Sequence, residues 1–282
     1  LEKGPFDKNH SKVKAGNIIE KIDGVEILSD MDYYPLLNKK VGKQVLVSVY
    51  DPDTKKRWEE IVKPISKGTQ NELLYQRWIK HNAEVVDSLS NGTLGYVHIR
   101  SMGDASYRDV YADILGKYNR RKGVVIDTRF NGGGRLHEDI EILFSGEKYL
   151  EQVIRDSVAC VMPSRRYVKP SIMITCEANY SNAHGTPWVY KHKKIGKLVG
   201  MPVPGTMSSV TWETLQDTDL YFGLPVVGYR TQEGYYLENS QLEPDIKVRN
   251  TPEKLAVGID EQLDAAVKEL MKDVENYDYW GK

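Results

Sequence analysis

The chain has only two cysteines in 282 residues, Cys160 and Cys176. Two are too few for a disulfide scaffold and allow at most one optional bridge. No apolar run approaches the roughly 20 residues that a helix needs to cross a bilayer. The formal net charge is −1, which removes the electrostatic case for nucleic acid. The glycine run at Asn131–Gly134 lacks both a Gly-Lys-Ser/Thr ending and the dinucleotide spacing, so a phosphate loop is a weak reading. The six histidines include no His-Glu-x-x-His pair, and neither a metal nor a cofactor is expected. Internal repeats and low-complexity segments are also missing.

What is present is ordinary globular usage: 40% hydrophobic and 28% charged residues. The length makes two domains the default. Five Trp and 18 Tyr suit core and rim positions, and also peptide grooves. The first unit spans about residues 1–66. Val13 to Ile22 reads as a glycine-bent strand pair with a turn at Asp23-Gly24. Asp32 to Lys39 is a short helical or irregular segment broken by Pro35. Gln44–Tyr50 alternates as a half-buried strand, and Trp58–Val62 returns beside it. Residues 67–93 connect the units, as a strand-like arm followed by a helix. The second unit, 94–282, alternates strands with helices, which argues for an α/β core. Its expected strands include Gly123–Asp127, Ser171–Thr175, Ile195–Gly200, Leu224–Tyr229 and Gly234–Glu238. Asp104 is expected to cap one helix, others start at Arg135 and Tyr180, and a last one is capped by Asp260 with a stripe at Leu263, Ala266, Val267, Leu270 and Val274.

Two turns carry the chemistry. Residues 171–185 read as a short apolar strand followed by a small-residue turn that presents Ser181 just before a helix. A serine there is ordinarily an N-cap. Residues 123–134 are a second strand, running into Asn131-Gly-Gly-Gly134. Bare backbone N–H groups in such a turn can face a developing oxyanion, and each such donor typically contributes about 3–4 kcal/mol to lowering the barrier. The pair suggests acyl transfer with a serine nucleophile.

The order of motifs resembles the tricorn-type branch of the S41 serine peptidases. Lys14-Ala-Gly-Asn-Ile-Ile-Glu-Lys-Ile-Asp-Gly24 is similar to a PDZ signature. Leu94–Met102 opens the catalytic core. Val125–Gly134 matches the glycine turn, Tyr180-Ser-Asn-Ala-His184 the nucleophile turn, and Leu237–Ile246 the late acidic motif. The resemblance implies a crotonase/ClpP-like ββα superhelix core, preceded by a partial PDZ-like β-rich domain. It places Ser181 on the nucleophile. It places the N–H of Asn182, with that of Gly132 or Gly133, on the oxyanion hole. Glu238 falls on the glutamate that orients the remote part of the catalytic group. The implied substrate is a peptide or an unfolded protein chain, docked at the PDZ-like unit by strand addition, and a homo-oligomer is compatible with it.

The chain also departs from the pattern. Thr206 stands where the processing peptidases carry a lysine base. The tricorn-type histidine base belongs to a segment before the PDZ domain, and this chain begins inside that domain. The expectation is therefore a serine endopeptidase or oligopeptidase whose base comes from upstream, with these 282 residues silent alone. No signal peptide is visible, and a chain starting mid-domain is compatible with a cytoplasmic or an extracytoplasmic setting. His184, three residues after Ser181, is a poor substitute base because such closeness rarely allows Nε2-to-Oγ geometry. His98 reads as a sheet residue, and His137 as a helix-opening cap or solvent-facing residue. A non-catalytic peptide-binding scaffold of the same fold is the alternative from a different class. A crotonase-type acyl-CoA enzyme is a third reading, opposed by the PDZ-like unit and the Glu243-Pro-Asp-Ile246 motif.

Overall fold

The computed structural model describes residues 1–279 and divides into two compact units, Leu1–His81 and Asn82 onward. The first unit holds β1 (Ile18–Ile22), β2 (Val25–Glu26), β3 (Val45–Tyr50) and β4 (Arg57–Val62). They form one antiparallel sheet in the order β2-β1-β3-β4. Alternation puts Val45, Val47 and Val49 on the buried face with Ile22 and Val62. A 3₁₀ turn at Tyr34–Leu37 begins where Pro35 presets the backbone.

Helix α1 (Lys67–Leu89) is continuous. The expected strand-like arm does not exist. Leu74, Trp78, Asn82 and Val86 recur every four residues, and the polar Asn82 hides the stripe from a hydrophobicity reading. Asn82 is nevertheless 2% exposed. Its Nδ2 donates to Tyr96 Oη at 3.0 Å, which removes the cost of burying an amide.

The second unit is a parallel sheet between helices. Its strands are β5 (Leu94–His98), β6 (Gly123–Asp127), then the ribbon pair β7 (Leu150–Ile154) and β8 (Ser157–Met162), followed by β9 (Ser171–Thr175), β10 (Lys197–Gly200), the ribbon pair β11 (Ser209–Thr214) and β12 (Tyr221–Val227), and β13 (Ile246–Lys247). The five-stranded sheet runs β13-β10-β9-β6-β5, every neighbour parallel. The runs Gly123–Asp127 and Ser171–Thr175 are buried throughout, as strands covered on both faces must be. Helices α2 (Asp104–Ala112), α3 (His137–Ser145) and α4 (Asn182–His192) cover the face formed by Val124, Ile126, Met173 and Leu198. A short α5 (Pro252–Ala256) precedes α6 (Glu261–Glu275), which packs on β6, β9 and β10.

Several local expectations are corrected. Gly103, not Asp104, occupies the N-cap of α2, and the Asp104 carboxylate accepts from Arg108 instead. The strand pair expected over Val13–Ile22 is a single strand, Ile18–Ile22. Gly234–Glu238 is a turn with a single bridge, Arg230 to Tyr236. β12 overlaps the strand expected over Leu224–Tyr229, whereas β7, β8 and β11 escaped the pattern reading because none has a buried face to impose a period of two. Asp260 does cap α6, accepting from Leu263 N at 3.0 Å. Both cysteines are free thiols. No helix among the described residues is long and apolar enough to cross a membrane.

Candidate active site

The ends of the neighbouring strands β6 and β9 bring the two turns together. Asp127 closes β6 at 0% exposure. Burial pushes its pKa up, but the Arg129 guanidinium outweighs this and holds the carboxyl below the usual range. Arg129 Nε reaches Asp127 Oδ1 at 3.0 Å and Nη2 reaches Oδ2 at 2.7 Å. Its Nη1 donates to Asp260 Oδ2 at 2.7 Å. The end of β6 is thus bolted to the N-terminus of α6 immediately before the glycine turn.

Three buried asparagines build the turns themselves. Asn131 Nδ2 donates to Ile99 O at 2.7 Å, its Oδ1 accepts from Gly133 N at 2.9 Å, and its carbonyl accepts from Tyr180 N at 3.0 Å. Asn179 Nδ2 donates to Thr128 Oγ1 at 2.9 Å and to Ala183 O at 3.2 Å. The second of these has a specific cause. Pro187 lies in the second turn of α4 and offers no N–H to Ala183 O, so the asparagine takes its place. Asn182 Oδ1 accepts from Leu136 N at 2.8 Å and His137 N at 3.1 Å, so the first residue of α4 caps α3. Its Nδ2 meets His137 Nδ1 at 2.8 Å.

Ser181 stands at the N-cap position of α4 with φ 54° and ψ −122°, a conformation that a residue with a Cβ rarely adopts. It makes no capping bond, and its Oγ has no hydrogen bond among the described residues. Its backbone N–H points to Thr206 Oγ1 at 3.4 Å. Gly133, at φ +98°, lies against it, and a Cβ there would fall 2.7 Å from Ser181 Cβ and 2.8 Å from Tyr180 O. Only glycine allows that approach. The N–H of Gly133 is taken by Asn131, whereas those of Gly132 and Asn182 make no hydrogen bond among the described residues.

Glu238 comes from the far end of the unit. Its Oε2 accepts from Met207 N at 2.8 Å and Ser208 N at 2.6 Å, next to Thr206. Burial opposes its ionisation, but these two donors prevail and hold the carboxyl below the ordinary glutamate value. The approach of the two loops requires Gly205, where a Cβ would lie 2.2 Å from Ser240 N.

Residues 93–248 match the family model for peptidase family S41. The chain belongs to peptidase family S41. It is 25% identical over 288 residues to the tricorn protease of Thermoplasma volcanium, in an alignment covering 98% of this chain and 26% of that protein. It is 27% identical to the tricorn protease homolog of Saccharolobus solfataricus, covering 96% of this chain and 25% of that protein. The chain spans about a quarter of the length of these curated relatives. Among solved structures, the crystal structure of the tricorn protease superposes with a TM-score of 0.74 at 23% identity, over 93% of this chain and 25% of that one. Mature CPAF in complex with lactacystin shares the fold at a TM-score of 0.53 and 14% identity, over 96% of this chain and 80% of that one.

In this S41 chain the histidines do not reach the serine. His184 is 0% exposed, and neither ring nitrogen has a hydrogen-bond partner. Burial lowers its pKa, partly opposed by Glu238, so the ring is neutral at pH 7. His98, at the end of β5, bonds Arg129 O through Nε2 at 3.0 Å. His137 is half-buried, bound to Asn182, and stacked edge-on with Tyr229 at 6.1 Å. It neither caps α3 nor faces solvent freely, because Asn182 does the capping. Among the described residues no three His, Cys, Asp or Glu side chains cluster as metal ligands would. Reasoning from sequence missed Asn131, Asn179 and the side chain of Asn182. The one available signal was their position within two residues of the glycines and the serine.

Proposed function

We propose that the chain carries the nucleophile and oxyanion half of a serine peptidase site that cuts peptides or unfolded chains. The observation that carries this is Ser181. It holds a strained backbone conformation on a strand-to-helix turn, its Oγ is uncommitted, and a glycine turn lies in van der Waals contact. Strain of this kind concentrates at functional sites. Ser181 is the attacking residue. The N–H groups of Asn182 and Gly132 receive the oxyanion, while Gly133, held by Asn131, provides the close approach. Glu238 positions the Met207–Ser208 backbone and, through it, the Thr206 segment beside the nucleophile. The tricorn relatives, whose names describe proteases, support the reaction class.

A serine hydroxyl needs a neighbouring base, and Ser181 Oγ touches none among the described residues. The base is therefore supplied from outside them. The β-rich unit, read as PDZ-like over residues 1–66, docks the peptide by adding a strand. The same uncommitted Oγ favours the second reading, a peptide-binding scaffold without turnover. In the full-length protein, a fluorophosphonate probe should label Ser181 and an unstructured peptide should be cut. Ser181→Ala should abolish both while leaving thermal unfolding nearly unchanged. Peptide binding without labelling or cleavage would establish the scaffold instead.

A further inference from the structure

The two turns invert the usual partition of side chains. Asparagine normally faces water and large aromatics normally do not. Here Asn131 and Asn179 are 0% and 1% exposed, while Phe130 and Tyr180, each immediately beside one of them, are 69% and 58% exposed. Phe130 also has φ 63°, the left-handed region, where a bulky side chain is an outlier. Glycine or asparagine would adopt it at little cost, so the aromatic ring is retained against a local penalty. The neighbourhood enforces the conformation. Arg129 and Asn131 on either side are buried, and Phe130 N donates to Cys176 Sγ at 3.4 Å. Tyr180 is held in the same frame, since its N–H donates to Asn131 O at 3.0 Å.

The spacing is the second observation. Phe130 precedes Gly132 by two residues, and Tyr180 precedes Asn182 by two. The backbone N–H groups of Gly132 and Asn182 are the two proposed oxyanion donors. A peptide whose carbonyl oxygen lies between them must pass the segments that carry both aromatics. We propose that Phe130 and Tyr180 are specificity-determining residues that accept an apolar or aromatic side chain of the substrate next to the scissile bond. This rests on the peptidase reading above and names its substrate preference. Exposed aromatics suit that role because they offer large apolar area with few rotatable bonds.

The test uses the full-length protein and peptides that differ at one residue on either side of the cleaved bond, Phe or Leu against Lys or Glu. Wild type should prefer the apolar residue by about tenfold or more in kcat/KM, the scale of one hydrophobic subsite. Phe130→Gly should remove most of that preference through KM, while Tm stays level or rises because glycine accepts the left-handed backbone. Tyr180→Ser should reduce the preference as well, and Phe130→Tyr should retain it. Binding of the same peptides to the Ser181→Ala protein reads the preference without chemistry. Wild-type cleavage with no preference, or a Phe130→Gly loss equal for apolar and charged peptides, overturns this proposal alone. Absence of both Ser181 labelling and cleavage in wild type overturns the peptidase reading, and this proposal with it.

Discussion

Replacing Asn182 by alanine tests whether the Ser181 turn is held by tertiary capping or by its own backbone. The side chain is 3% exposed. Alanine deprives Leu136 N–H, on a residue itself 3% exposed, of its only acceptor among the described residues. An orphaned buried donor costs about 1–3 kcal/mol. The N–H and ring of the half-buried His137 can turn to water, adding about 0.5–1 kcal/mol, the low end of a lost cap. The sum is about 1.5–4 kcal/mol. For the unit from Asn82 onward, about 3 kcal/mol lowers Tm by roughly 6–12 °C. Asn182→Asp keeps both acceptor bonds and places a negative charge at a helix N-terminus, where it is favoured. It should lose less than half as much. Calorimetry reads both values, and amide exchange at Leu136 and His137 should accelerate in the alanine variant and not in the aspartate one. A fall under about 2 °C for alanine, or an aspartate variant as unstable as the alanine one, would refute the capping argument.

Arg129→Met should cost about 3–5 kcal/mol in urea unfolding, because it leaves Asp127 charged and fully buried. Adding Asp127→Asn to that variant should recover part of the loss, and no recovery would show that packing rather than charge was at stake. The pH dependence follows from three histidines. Burial depresses the pKa of His98, His137 and His184 below the ordinary 6.5. The unfolded chain then binds protons more readily than the folded one. The stability concerned is present above pH 6.5 and is lost as pH falls from there through the folded values. Tm should drop between pH 7 and pH 5, and His184→Leu should flatten the slope. A Tm that is constant or rises over that interval contradicts the sign.

Local sequence determined the elements whose environment is uniform along the chain. Gly123–Asp127 and Ser171–Thr175 are continuous apolar runs, and the strands begin and end on those residues because both faces are covered. The α6 stripe and its Asp260 cap are likewise complete within about fifteen residues. The glycine turn was legible because it ends a strand with residues of unusual backbone freedom, and Ser181 because a small-residue turn presents it between a strand and a helix.

Tertiary structure decided everything that depends on a partner far away in the chain. Asn82 interrupts the apolar stripe of α1 by local pattern, and its burial makes sense only once Tyr96 receives its amide. Asn182 becomes the cap of α3 across 45 and 46 residues, and Glu238 becomes a brace across 30 and 31. Strands β7, β8 and β11 bury no face, so no period records them. Ser181 illustrates the division best. Its place before a helix predicts a cap by local rules, but the position of Gly133 against it depends on β6 and β9 being neighbours. Strand order is a property of the closed sheet, and local pattern carries no term for it.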